Sequence, residues 1–194
     1  MRFGNIAATV LAAGAVSTAA CGQGTMWAVD SSRALYTVDI ATGAKTAAGT
    51  VSANAGTTAG LAYNGTTNTV WVTSTANDSL YTLDLGTGAA TLVGAYGDAA
   101  IVMHGLEWDS STGTLYGVSS HNNGLYSINT ANGAATLIGT SGLTSFTNLG
   151  YNSATNSMYA TNSGSDSFYS MNVANGATTL IGALGGGVSN PNGL

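Results

Sequence analysis

Short apolar pairs recur along the chain at a nearly constant interval. Leu35-Tyr36, Leu80-Tyr81, Leu125-Tyr126 and Phe168-Tyr169 follow one another at spacings of 45, 45 and 43 residues. Each pair opens a run with apolar groups on both faces, as where Leu80 alternates with Tyr81, Leu83 and Leu85. That pattern predicts a β-strand in a sheet packed on both sides. A turn then follows: DIATG at 39–43, DLGTG at 84–88, NTANG at 129–133 and NVANG at 172–176. A second apolar strand comes after each turn, with TLVG at 91–94 and TLIG at 136–139 and 179–182; the first copy is degenerate, TAAG at 46–49. Further on, Gly60-Leu61-Ala62-Tyr63-Asn64, Gly105-Leu106-Glu107-Trp108-Asp109 and Asn148-Leu149-Gly150-Tyr151-Asn152 match one another. The sequence stops at Asn192-Gly193-Leu194, at the start of another copy.

One unit therefore holds four short strands, read in its third full copy as 147–152, 158–162, 167–173 and 178–181. Asn, Asp, Gly, Ser and Thr punctuate the connections; they accept left-handed backbone angles or bond to their own turns. No stretch beyond the N-terminal segment keeps a 3.6-residue apolar period, so helices are not expected. Four strands repeating every 43–45 residues predict an all-β fold, a β-propeller of four-stranded blades. β-Helices and leucine-rich repeats have shorter periods.

Composition narrows the function classes. Charged residues are only 6% of the chain, against roughly 25% in ordinary soluble proteins. Three Lys and Arg residues in 194 cannot neutralise a run of phosphates, so no nucleic-acid partner is expected. No basic amphipathic helix is available for a membrane surface. With 44% hydrophobic residues, the chain is also too apolar for disorder.

The N-terminus reads as a signal peptide over residues 1–21. Arg2 gives a positive start, residues 6–16 (IAATVLAAGAV) an apolar core too short to span a bilayer, and Ser17-Thr18-Ala19-Ala20 a cleavage region. Secretion to an extracytoplasmic location is expected, with no transmembrane span in the mature chain. Cys21 is the only cysteine and has no partner for an internal disulfide. Thr18-Ala19-Ala20-Cys21 resembles a bacterial lipobox, with Thr18 where that motif carries an aliphatic residue. The resemblance implies a lipid anchor on Cys21 and a place at the cell surface.

The repeats occupy residues 26–194, in units of 26–56, 57–101, 102–144 and 145–190, with the start of a further strand at 191–194. In the second strand of the last unit, Tyr159-Ala160-Thr161-Asn162 is similar to the signature of YVTN-type propellers of bacterial and archaeal surface proteins; Trp71-Val72-Thr73-Ser74 is a looser match. The wider pattern resembles exported bacterial proteins of uncharacterised function. Two readings of the ring stand side by side. Asn192-Gly193-Leu194 completes the first blade and closes a four-bladed ring, or the chain is a fragment of a larger propeller. The sequence favours the second, because the final copy stops where earlier ones continue with Ala62-Tyr63-Asn64 or Glu107-Trp108-Asp109.

Candidate chemistry is sparse. His121 neighbours Ser119 and Ser120 in sequence, but adjacent strand residues point to opposite faces, and a nucleophilic triad needs convergence with an orienting acid. His104 precedes Gly105-Leu106 as Asn192 precedes Gly193-Leu194, which places both at the starts of inner strands, around a central channel. Pro191-Asn192-Gly193-Leu194 resembles a stretch of gluconolactonase-type propellers. That resemblance implies a divalent cation such as calcium, held by Asn192, His104 and Glu107, although Ala59 and Thr147 supply no carboxylate from the other blades. Asp39 and Asp84 exchange with Asn129 and Asn172 at one turn, and Asp78 and Asp166 with Asn123 at another. Free exchange of Asp and Asn is turn chemistry rather than metal chemistry. Trp27, Trp71, Tyr116 and Tyr159, and likewise Tyr63, Trp108 and Tyr151, recur blade by blade and are expected in the core. Recognition is expected where blades differ, at 96–103, 120–123 and 185–189. Together these readings predict an exported, non-enzymatic binding or scaffold propeller whose loops take a protein or glycan partner. A metal-dependent lactonase-like hydrolase and a self-assembling surface layer stand as alternatives.

Overall fold

The computed structural model describes the strand Ala15–Val16 and residues 25–186. The chain forms a β-propeller of four antiparallel, four-stranded blades. Blade 1 contains β1 (Ala15–Val16), β2 (Thr25–Val29), β3 (Ala34–Val38) and β4 (Lys45–Thr50). Blade 2 contains β5 (Thr58–Asn64), β6 (Thr69–Ser74), β7 (Ser79–Leu83) and β8 (Ala90–Ala95). Blade 3 runs through β9 (Met103–Asp109), β10 (Thr114–Ser119), β11 (Gly124–Ile128) and β12 (Ala135–Thr140). Blade 4 runs through β13 (Phe146–Asn152), β14 (Ser157–Asn162), β15 (Ser167–Met171) and β16 (Thr178–Ala183). A turn of 3-10 helix at Ala53–Ala55 follows β4, and the described residues hold no α-helix. None of their helices is long and apolar enough to cross a membrane.

The repeat encodes specific backbone events. In every blade the ladder between the third and fourth strands slips at the apolar pair: Leu80 faces Gly94 but Tyr81 faces Leu92, leaving Val93 as a bulge. The same slip occurs at Leu35/Tyr36, Leu125/Tyr126 and Phe168/Tyr169. The turn Asp and Asn residues cap themselves. Oδ1 of Asp39, Asp84, Asn129 and Asn172 each accepts a bond from the backbone N–H two residues on. Hydrogen bonds from Thr42 and Thr87 hold the Asp39 and Asp84 carboxyls below the usual range.

At the turn between second and third strands, one residue per blade adopts a left-handed backbone: Arg33, Asp78, Asn123 and Asp166. Asp and Asn tolerate this region, whereas arginine at φ +74° is strained. Arg33→Asn is expected to stabilise the protein by ~1 kcal/mol, a rise of ~2–4 °C in Tm by calorimetry.

The core lies between blades, not within them. Leu35 and Val51 pack with Leu61, Val72 and Tyr81 between blades 1 and 2. Trp71 and Leu80 pack with Met103, Leu106 and Tyr126 between blades 2 and 3. Tyr116, Val118 and Leu125 pack with Leu149, Tyr151 and Tyr169 between blades 3 and 4. Each blade thus presents a leading face to the next blade and a trailing face to the previous one. Trp27, Tyr63, Trp71, Trp108, Tyr116 and Tyr151 pack in or against these seams, with the Trp71 and Trp108 rings 5.2 Å apart, whereas Tyr159, expected in the core, is half-buried and stacks on Phe168.

Ala15–Val16 pairs with Thr25 and Met26, giving blade 1 its inner strand. This strand lies inside the segment read as a signal peptide. Cys21, the proposed lipidation site, lies outside the described residues, as do Pro191, Asn192 and the rest of 187–194.

Candidate functional site

The inner strands approach closely enough to leave one cavity at the mouth of the central channel. Gly60 and Gly105 make the approach feasible. A Cβ on Gly60 would lie 2.8 Å from the Leu106 nitrogen, and one on Gly105 would lie 2.8 Å from the Asn148 Cα. The cavity has a volume of about 420 Å³ and draws lining from all four blades, including Asp30, Thr58, Thr75, His104, Thr147 and Asn148.

These residues differ from blade to blade, unlike the core. Asp30 is ionised but engaged. Its Oδ1 accepts from the Ser32 hydroxyl at 2.6 Å, the Ser32 N–H and the Ala34 N–H. The Ser32 hydroxyl bond, ahead of the opposing effect of burial, holds its pKa below the usual carboxylate range. His104 is half-buried, and burial pushes its pKa down against a bond to the Val102 carbonyl; His121 adds a smaller repulsion. The His104 Nδ1 lies 2.8 Å from the Ser120 Oγ. Thr58 donates its hydroxyl to the Asp30 carbonyl at 2.7 Å, tying blade 2 to blade 1 at the mouth. Asn148 is buried, and its Oδ1 accepts from the Leu149 N–H. The mouth is therefore hydroxyl- and amide-rich, with one imidazole and one carboxylate whose Oδ1 is engaged by its own turn and whose Oδ2 accepts from the Tyr36 hydroxyl at 3.3 Å.

His104 stands in this cavity as the sequence placed it, but Glu107 does not line it. Glu107 is buried in strand β9, cross-strand from Tyr116, with Oε1 accepting from the Trp108 N–H. Alternation along β9 explains this: Leu106 faces blade 2 and Glu107 faces blade 4. Asn192 lies outside the described residues, and among the described residues no three His, Cys, Asp or Glu side chains converge on a metal-sized site. The Ser120–His104 contact was not visible in sequence, because it joins β9 to the residue after β10 across the strand pairing.

The segments expected to recognise a ligand divide. In 96–103, Tyr96, Ile101 and Met103 are buried in the seam between blades 2 and 3, leaving Asp98 to solvent. In 120–123, Asn122 donates to the Tyr126 hydroxyl at 2.7 Å and braces the turn, while Ser120 reaches His104. Of 185–189, Gly185 and Gly186 fall within the described residues.

Solved structures of similar shape carry the propeller reading further. The chain aligns with a chain of a nidogen/laminin complex at TM-score 0.65 and 14% identity, covering 92% of this chain and 66% of that one. It aligns with a Bacteroides thetaiotaomicron protein of unknown function at TM-score 0.62 and 17% identity, covering 89% and 43%. A Staphylococcus aureus virginiamycin B lyase gives TM-score 0.52 at 13% identity, covering 83% and 53%. At these identities the likeness is one of fold, and the chain spans less than two thirds of each of these proteins. No curated protein sequence matches the chain. A family model matches residues 3–142, a span that takes in the first three blades, and the chain belongs to that family, described as a repeat of unknown function, DUF6923.

Proposed function

We propose that the protein is a non-enzymatic binding propeller, exported from the cytoplasm, that holds a neutral polar partner, a protein loop or a glycan, at the mouth of its central channel. The observation that carries this reading is the contrast between a repeated core and a non-repeated mouth. The apolar pair and the strand aromatics recur from blade to blade, while the mouth takes Asp30, Thr58, His104 and Asn148 from four different blades. Repetition serves packing, and divergence among polar residues at an open mouth serves recognition. One similar solved structure is a complex of a propeller-containing protein with laminin, which supports a partner-binding role by analogy of fold alone.

The test is a screen of the purified chain against displayed neutral glycans and a peptide library. Binding is expected, reduced at least tenfold by His104→Ala; a ligand that binds this variant equally well would sink the channel assignment. Calcium or zinc at millimolar concentration is expected to leave the melting temperature unchanged. A rise that disappears in His104→Ala would favour a cation site and the hydrolase reading instead.

The export half of the proposal rests on Arg2, the apolar segment 6–16 and the small residues before Cys21. Intact-mass spectrometry of the protein from a bacterial envelope is expected to show loss of the residues before Cys21, with an acyl mass on that cysteine if it is an anchor. Retention of Met1 in the envelope-located protein would refute the leader. Cleavage would also remove β1, leaving Thr25 and Met26 as the inner edge of blade 1.

A further inference from the structure

The two end faces of the blade array are built for a seam that the described residues do not form. In blades 2 and 3 the leading faces carry Trp71, Leu80 and Val93, and Tyr116, Leu125 and Ile138, all packed into the next seam. The equivalents in blade 4 are Tyr159, Phe168 and Ile181. Tyr159 and Phe168 are half-buried and stack on each other at 5.2 Å, while Ile181 is 54% exposed. The trailing face of blade 1 is free in the same way. Met26, Tyr36 and Val38 are half-buried where Val70, Tyr81 and Leu83 are core. Ile40 is 58% exposed where Leu85 and Val173 pack into seams.

A backbone clasp marks the same two faces. Between blades 2 and 3 and between blades 3 and 4, the bulge glycine of one blade lies against the turn glycine of the next. A Cβ on Gly133 would lie 2.8 Å from the Gly94 Cα, and one on Gly176 would lie 2.9 Å from the Gly139 carbonyl carbon. At the first seam Gly88 instead meets the Thr50 carbonyl, and the bulge glycine Gly49 has nothing within 4 Å. At Gly182 in blade 4 and Gly43 in blade 1 nothing lies within 4 Å. Each end therefore holds half of a clasp, and the halves are of opposite kind.

We propose that these faces bind each other between two copies of the chain, blade 4 of one molecule seating on blade 1 of the next. The inner rim supports a separate molecule over a further blade seated like the internal ones. Blades 2 and 3 have Gly60 and Gly105 where the neighbouring inner strand presses in, whereas blade 4 has Asn148, whose side chain takes that space. The contact is thus carried by the middle and outer strands. It is a heterologous, head-to-tail seam, which extends into rings or filaments according to its rotation. Lys45 guards the rim of the blade 1 face, its ammonium 4.5 Å over the Tyr36 ring, where the other blades have Ala90, Ala135 and Thr178. A lysine at a free sheet face restrains association, so the seam is weaker than the internal ones and depends on concentration.

Analytical ultracentrifugation of the full chain tests the proposal, with Ile181→Asp to spoil the leading face and Ile40→Asp to spoil the trailing one. Both side chains are exposed, so each variant is expected to keep the wild-type melting temperature. Wild type is expected to grow from 19.1 kDa to twice that mass or more as concentration rises. Each variant alone is expected to stay monomeric. An equimolar mixture is expected to form a dimer, because each partner retains the face the other lacks. A wild type that stays monomeric at all concentrations would overturn the proposal, and so would variants that dimerise alone or fail to dimerise when mixed.

Discussion

Gly139→Ala is expected to destabilise the protein by about 3 kcal/mol, while Gly182→Ala at the same place in the repeat leaves stability within about 0.5 kcal/mol. The two glycines occupy the same bulge, in β12 and β16. What differs is the neighbour. A Cβ at Gly139 would collide with the Asn175 carbonyl, its carbon only 2.6 Å away, and backbone on a capped turn has little room to yield. At Gly182 there is open space. Intrinsic conformational preference is shared by both positions and cannot separate them, so the contrast isolates the blade-to-blade seam. Denaturant melts should show Gly139→Ala losing about 6–12 °C in Tm-equivalent stability. Equal losses at the two sites would mean that the bulge itself, not the seam, demands glycine.

The second large effect is a pH dependence centred on Glu107. Burial pushes its pKa from 4.5 up to about 8, opposed by bonds from the Trp108 and Tyr151 backbone and reinforced by the nearby Asp109 carboxylate. Tyr116 lies cross-strand on the same face of blade 3. The folded state therefore keeps its proton where the unfolded chain has released it. Below pH 4.5 both states are protonated and the stability is fully present. Between pH 4.5 and 8 it drains away by ~1.4 kcal/mol per unit, and above 8 the loss is complete, on the order of 5 kcal/mol. Glu107→Gln keeps the shape without the charge. It is expected to match wild type near pH 4.5 and to exceed it by that amount at pH 8.5, on the order of 10 °C in Tm. Asp30 and Asp109 act in the opposite direction. Their pKa values are lowered, in Asp109 by the Ser111 and Thr112 hydroxyl bonds that outweigh its burial. Their contribution is lost as pH falls below the carboxylate range, so maximum stability is expected near pH 4–5. A Glu107→Gln profile parallel to wild type would show that Glu107 is ionised in the folded state.

The blade architecture was legible because the chemistry that makes it repeats. The apolar pair at Leu80-Tyr81, the bulge glycine at Gly94 and the self-capping Asp84 each recur with the period of the blade, and each sits where the backbone requires it. The inner strand Ala15–Val16 did not stand out, because its apolar residues lack the surrounding motif and satisfy the leader pattern as well. The channel residue His104 could be placed from its position before Gly105-Leu106. Its contact with Ser120 could not, since strand pairing brings together residues that carry no local signal. Glu107 was read as a channel ligand because sequence shows alternation but not which blade covers each face. Tyr96, Ile101 and Met103 were read as recognition residues because they break the repeat. They break it to fill a seam, where packing needs volume rather than a fixed residue type.

The most direct test of the channel-mouth assignment is a titration of the ligand recovered from the glycan and peptide screen against Ala59→Trp. Ala59 lines the mouth, and an indole there fills much of the cavity without touching the outer strands or the blade 4 face. With the melting temperature held, affinity is expected to fall at least tenfold in Ala59→Trp and to stay unchanged in Ile181→Asp. Unchanged affinity in a folded Ala59→Trp protein would place the binding surface elsewhere and contradict the assignment of function to the channel mouth.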